Sequence, residues 1–275
     1  MTFGEYLKID AINWSSLKAG RASPLHYQHR VTHPLEDSTR LAMGRAAHTA
    51  VFEPDRFLLD YALFAGPRRA GKEWDACCAA NRGRTILKAD EYRECLAIRD
   101  AVRNHPVAGV LLAPPGEAEK VLTWTDEATG LRCKARLDWY RAELLCDLKT
   151  TADIEERLFA ATVAHMGYHG QMAFYRAGLI ANGLPAPSPP RLIAVEATPP
   201  HDVAVYMLDD DALYLGEQEC ARLLRMVAEN RAKQEWPGRY PEERTLPLPA
   251  WAFGLMLPAE NEANGLDLLV TGQEA

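Results

Sequence analysis

Two carboxylates and an ammonium group lie close together in the middle of this chain. Asp138 ends a run, Leu131–Tyr140, in which polar and apolar residues alternate, and Asp147-Leu148-Lys149 ends the run Leu144–Lys149 that follows the short turn Arg141-Ala142-Glu143. Period-two alternation marks both runs as β-strands. It sets Arg132, Lys134, Arg136 and Asp138 on one face, with Cys133, Ala135, Leu137 and Trp139 on the other. The tight turn makes the strands neighbours, so Asp138 and Asp147 can face each other. Two carboxylates held close in a low-dielectric site repel strongly unless a cation neutralises them, and hard oxygen donors suit a divalent ion. Lys149 shares the Asp147 face, about 6.5–7 Å along the strand. An ammonium cannot ligate a cation, but it can hold an attacking water or stabilise negative charge growing on a phosphate. Metal-activated water beside such a lysine suits phosphodiester hydrolysis. By itself, Asp-x-Lys describes an ordinary surface ion pair equally well.

The elements that would hold these residues are legible from caps and periodicity. Ser23-Pro24 predicts a helix start running through Gln28, and a second helix is expected from Ser38 to Glu53, stopped by Pro54. A strand is expected at Tyr61–Phe64, an irregular basic stretch from Gly66 to Arg84, and an amphipathic helix over Ala89–Asn104. Val121–Trp124 and the two runs above predict a three-stranded antiparallel meander, extended by strands near Leu192–Ala197 and Val203–Leu208. Ile154–Asn182 and Asp209–Lys233 read as helical, with a proline-rich loop at Pro185–Pro190.

Around the acidic pair stand Gly44-Arg45-Ala46-Ala47-His48, Cys146-Asp147-Leu148-Lys149-Thr150-Thr151 and Tyr168-His169-Gly170-Gln171, in that order, with Leu246-Pro247-Leu248-Pro249-Ala250-Trp251 near the end. Together these motifs resemble the PDDEXK nuclease superfamily, in particular its RecB-like branch, the exonuclease VIII (RecE) nuclease domain and phage relatives. The resemblance implies an α/β, restriction-endonuclease-like core: a central mixed sheet with an antiparallel meander, flanked by helices. It also implies roles. Asp138, Asp147, His48 and the Leu148 carbonyl would be metal ligands, with Lys149 as the family lysine. An upstream acid maps first to Glu119, with Glu117, two residues away, as the alternative. Gln171 and Tyr175 match the Gln-x-x-x-Tyr element that supports the metal site, and Tyr168 falls on the same helix face. The implied activity is a Mg²⁺-dependent deoxyribonuclease, with Mn²⁺ as a substitute. Most specifically it would be a 5′→3′ exonuclease acting on double-stranded DNA ends, a homo-oligomer (trimer or tetramer) working with a single-strand annealing protein. A PDDEXK endonuclease uses the same site, and a non-catalytic DNA-end-binding module could descend from it. Both stay open at this point.

Composition bounds the rest. With 275 residues, 48% hydrophobic and 25% charged, the chain can bury a sizeable core. The expected organisation is one nuclease domain over 1–257, helical over 1–115 and with its nuclease core over 116–257, then an acidic tail over 258–275. No apolar run approaches the ~18 residues of a membrane span. Six scattered cysteines exclude a clustered thiolate site, and with it the iron–sulfur exonucleases, and point to a reducing, cytoplasmic setting. The net charge of −7 argues against nucleic acid. Its distribution argues the other way: Gly66–Arg93 carries seven basic and four acidic residues, and the tail carries four acids and no base. Arg68, Arg69, Lys72, Arg82 and Arg84, joined by Arg136 and its strand neighbours Arg132 and Lys134, are candidate phosphate contacts, and Trp74 a candidate base-stacking side chain.

Overall fold

The computed structural model describes residues 1, 3–34, 39–249 and 251–252. Two compact units divide the chain, Met1–Arg239 and Tyr240–Ala275. In the second, the described residues are irregular as far as Pro249, with Leu246, Leu248 and Trp251 exposed. The acidic stretch 258–275 lies outside the described residues.

The first unit opens with short helices, α1 (Phe3–Lys8), α2 (Trp14–Leu17) and, after a 3₁₀ turn at Lys18–Arg21, α3 (Pro24–Thr32). Ser23 caps α3 by accepting the His26 N–H, with Pro24 in the first turn as its sequence required. Then come α4 (Thr39–Phe52), α5 (Pro54–Asp60), β1 (Tyr61–Phe64), α6 (Lys72–Ala80), β2 (Thr85–Lys88), α7 (Ala89–Asn104) and α8 (Ala108–Leu111). The expected α4 start at Ser38 lies outside the described residues. Helix α6 corrects the expectation of an irregular stretch over Gly66–Arg84. Glu73 and Asp75 sit in its first turn, where acids favour the helix dipole, a signal obscured by the surrounding basic residues.

The sheet follows: β3 (Glu117–Thr125), β4 (Arg132–Arg141), β5 (Leu144–Thr151), α9 (Glu156–Met166), α10 (Tyr168–Ala181), β6 (Arg191–Glu196), β7 (Val203–Met207) and α11 (Asp210–Lys233). Gly167, at φ +71°, breaks the expected 154–182 helical region in two, a conformation that costs a residue without Cβ little. Strand order is β3-β4-β5-β6-β7, antiparallel except for the parallel β5–β6 pair. The chain passes from β5 to β6 through α9 and α10, the crossover that a parallel pair needs.

Each sheet face carries its own core. Leu145, Leu192 and Ala194 face a cluster containing Met172 and Phe174 of α10 and Leu223 of α11. Cys146, Leu148, Ile193 and Val195 face Val51 of α4 and Ile98 and Val102 of α7. Along β4 the alternation is not maintained. Cys133, Ala135 and Leu137 line the α10 side, but Trp139 packs with Phe52 on the α4 side. The expectation that Trp139 shares the Leu137 face is therefore overturned. The cause lies on the neighbouring strand. Ala118 pairs with Trp139 and Lys120 with Leu137, and Glu119 between them adopts φ +54°. One left-handed residue turns the two-stranded ribbon over at the level of Asp138.

Candidate active site

The β4–β5 ladder consists of Trp139–Cys146, Tyr140–Leu145 and Arg141–Leu144. The next rung would join Asp138 to Asp147, and there the strands part. The other end of β4 takes a different partner on that edge: Ile12 N–H donates to Arg132 O at 2.9 Å and Lys134 N–H to Ile12 O at 2.7 Å. Between these two partners the β4 edge opens into a fork, and Asp138 stands at its apex. Its Oδ2 accepts the Leu148 backbone N–H at 2.8 Å, so the carboxylate replaces the ladder partner that the fork removes.

Two elements bring ligand-type atoms to Asp138. Glu119 occupies the register position opposite it on β3, and its left-handed backbone is a strained conformation for a residue with a side chain. His48 on α4 lies with Nδ1 3.3 Å from Asp138 Oδ2. One ligand atom from each of His48, Glu119 and Asp138 falls within 4.8 Å of the others. Glu117, the alternative upstream acid, is exposed and ion-paired with Lys120 at 2.8 Å. A Cβ at Gly44 would meet nothing within 4 Å, so the flank one turn before His48 is open.

Asp147 lies deeper, 1% exposed, on the α10 side. Its Oδ1 accepts from Gln171 Nε2 at 3.1 Å. Its Oδ2 is ion-paired with the Lys149 ammonium. Gln171 links the group: Oε1 accepts from Lys149 Nζ at 2.9 Å, and Nε2 also donates to Tyr175 Oη at 2.7 Å. Lys149 Nζ stands 4.3 Å from the centre of the Tyr168 ring, a cation–π contact. Tyr168, Gln171 and Tyr175 thus use the face that their spacing of three and four residues assigned them. Gly170 in the same turn is required by packing, since a Cβ there would come within 2.3 Å of the Trp14 ring.

The electrostatics are those of crowded, buried acids. Burial and the neighbouring Asp138 push Asp147 up to about 6 and Glu119 up to about 7, the latter against the pull of Arg136. For Asp138, burial alone would raise the carboxyl, but His48 and Lys149 outweigh it and hold the group down. Burial alone would lower His48 and Lys149, yet the two aspartates raise both. Tyr175 is driven well up by burial and by Asp147, so it stays a neutral hydrogen-bonding phenol. Carboxylates that resist ionising next to one another mark a place for a cation. The donor set fits a divalent ion: carboxylate oxygens and one imidazole.

The family model described as a PDDEXK-like domain of unknown function (DUF3799) matches residues 13–243. The chain belongs to this family. A solved structure from Eubacterium rectale, described only as a candidate exonuclease, has a similar fold, with a TM-score of 0.58 at 16% identity over 93% of this chain and 97% of that one. No curated protein sequence matches.

In this PDDEXK-like domain the expected phosphate contacts fall into separate groups. Arg136 is ion-paired with Glu119 and lies 4.9 Å from the Phe3 ring centre, beside the metal-type cluster. Arg69 is paired with Glu91. Arg84 donates to the backbone carbonyls of Leu58, at 2.8 Å, and Tyr61, and so joins α5 to β1. Arg68, Lys72 and Arg82 are on the surface of the segment around α6. Lys134 departs from the expectation of a solvent-facing basic strand face. It is 4% exposed, and its Nζ donates to the carbonyls of Tyr6 at 2.9 Å, Leu7 at 3.3 Å and Ile9 at 2.7 Å, closing the C-terminal end of α1. Trp74 packs edge-on against Phe64 at 5.1 Å. All six cysteines are free thiols, and four of them are buried. Among the described residues, no helix is long and apolar enough to cross a membrane. Sequence reasoning missed Tyr6, a buried α1 side chain whose ring centre lies 4.7 Å from Lys134 Nζ and which bears on Tyr175 electrostatically; its six-residue helix has too little periodicity to signal this.

Proposed function

We propose that the chain is a divalent-metal-dependent nuclease that hydrolyses phosphodiester bonds of DNA. The observation that carries this reading is the Asp147–Lys149–Gln171 unit set beside the His48–Glu119–Asp138 cluster at the fork of β4 and β5. His48, Glu119 and Asp138 would hold the ion, with Asp147 and the Leu148 carbonyl as further donors. A cation bound there supplies Lewis-acid stabilisation of phosphate charge and lowers the pKa of water. The chain does the rest. Lys149, kept protonated by two aspartates and aimed by Gln171, orients a water and offsets negative charge on the phosphate. Asp147 is held against rotation by Gln171, and Tyr175 fixes the amide that does so. Arg136 would give the DNA backbone its first cationic contact beside the site.

The finer reading is a Mg²⁺-dependent 5′→3′ exonuclease on double-stranded DNA ends, with Mn²⁺ substituting, working as a trimer or tetramer with a single-strand annealing protein. The family resemblance and the description of the Eubacterium rectale structure support it. Linear duplexes labelled at either end, with a closed circle as control, test it in Mg²⁺. Release of 5′ label from the linear duplex with an intact circle is expected, and activity should fall by about 10²–10³-fold in Lys149→Ala. Cleavage of the circle would make the protein an endonuclease. DNA binding with no cleavage in Mg²⁺ or Mn²⁺ would make it a non-catalytic end-binding module.

A further inference from the structure

Three of the eight histidines lie on or at the end of one short helix, away from the fork. His26 and His29 belong to α3 and His33 is its C-cap, and spacings of three and four residues set all three on one face. That face is exposed, whereas Tyr27 on the opposite side is 2% exposed and anchors α3 to Trp236. The rings are positioned by their own helix. His26 Nδ1 is 2.7 Å from Ser23 Oγ, and His33 Nδ1 is 2.9 Å from Thr32 Oγ1. In the tautomer where Nδ1–H donates to the hydroxyl, the Nε2 lone pair is left outward. This is the arrangement found where histidine ligates a metal and its second nitrogen is hydrogen-bonded. The His29 and His33 rings are already neighbours, stacked with centroids 4.4 Å apart and planes within 10°. Among the described residues, no carboxylate pairs with any of the three imidazoles, the histidine ion pairs being those of His48 and His169.

We propose that His29 and His33, four residues apart, form a second metal site that takes a borderline-soft divalent cation of the zinc kind. The His-x-x-x-His spacing is that of zinc-binding helical pairs. All-imidazole donors favour Zn²⁺, Ni²⁺ or Cu²⁺ over Mg²⁺, whereas the carboxylate-rich fork suits a hard ion. The two sites are separate in place and in preference.

Equilibrium dialysis against Zn²⁺ in excess Mg²⁺ tests this on the full chain, comparing the parent with H29Q/H33Q and with D138A. The parent and D138A are expected to retain one Zn²⁺ per chain. H29Q/H33Q should weaken that binding by more than about tenfold, the loss that removal of even a supporting partner produces. It should leave the Mg²⁺-dependent chemistry and the circular dichroism spectrum unchanged, as substitutions at exposed positions. Cu²⁺ electron paramagnetic resonance supplies a second readout, with hyperfine coupling to two imidazole nitrogens expected in the parent. Unchanged Zn²⁺ affinity in H29Q/H33Q, or loss of the bound Zn²⁺ in D138A, would overturn the proposal. Neither outcome bears on the nuclease reading.

Discussion

Gln171 Oε1 accepts a hydrogen bond from Lys149 Nζ at 2.9 Å while the same amide donates to Asp147 Oδ1. One helical side chain therefore sets the distance between the ammonium and the carboxylate on β5. Gln171→Ala is expected to lower kcat by roughly 10- to 100-fold, the range for removing a supporting partner, with KM for DNA little changed. Lys149→Ala removes the charge itself and should lower kcat by about 10²–10³-fold. Single-turnover kinetics on a linear duplex would check both; equal losses in the two variants would mean that Gln171 does more than position Lys149.

Buried acids forced up by one another make the metal-free protein sensitive to pH. Glu119 and Asp147 have folded-state values raised to about 7 and about 6, so the native state binds more protons than the unfolded chain between about pH 4.5 and 7. Stability is then lost as pH rises through that window. His48, also raised, adds to the loss as pH climbs past its folded value. Asp138, held down, is already ionised there and contributes no slope. Chelator-treated protein should melt at a lower temperature at pH 7.5 than at pH 5.5, and Glu119→Gln should flatten the difference. Thermal melts across that range give the answer, and a Tm that rises with pH would contradict it.

A divalent cation should reverse that penalty. Mass action predicts about 2.7 kcal/mol of added stability at a free concentration one hundred times Kd. Mg²⁺ is expected to raise the melting temperature of the parent at pH 7.5 and to leave that of Asp138→Ala unchanged. A Mg²⁺ titration followed by calorimetry measures this directly.

Asp147→Asn should abolish cleavage and yet leave the metal-free protein at least as stable at pH 7.5, because the substitution removes a charge that burial opposes. A large destabilisation instead would show that the Lys149 ion pair outweighs the burial penalty. Urea unfolding of both proteins separates the cases.

The basic residues should sort by salt dependence. Replacing Arg68 or Lys72 with Ala is expected to reduce the slope of log K against log salt by about 1 for each phosphate no longer neutralised. Arg84→Ala should leave the slope unchanged and destabilise the fold, since its guanidinium serves the Leu58 and Tyr61 carbonyls. Lys134→Met should likewise cost about 1.5–3 kcal/mol through the unmet α1 carbonyls. DNA binding measured over a salt series, beside thermal melts, distinguishes the two classes.

Local chemistry made most elements readable from the amino-acid order. Ser23-Pro24 announces α3, Pro54 ends α4, and the periodicity of residues 89–104 predicts α7 to the residue. The turn at Arg141–Glu143 is short enough to bring Asp138 and Asp147 to the same end of neighbouring strands, and the spacing of Tyr168, Gln171 and Tyr175 put them on one face. These are relations within a few residues, where sterics and hydrogen bonding leave few alternatives. What only the tertiary structure decided depends on distant partners. Glu119 joins His48 and Asp138, and Glu117 does not, because one left-handed residue turns the ribbon over; no periodicity encodes that. Lys134 reads as a solvent-facing base until α1, more than a hundred residues earlier in the chain, lays its carbonyls against it. The fork itself exists because Ile12 takes one stretch of the β4 edge and β5 takes the other. The sequence thus supplied the acids, the lysine and the glutamine, and long-range pairing made the opening in which they meet.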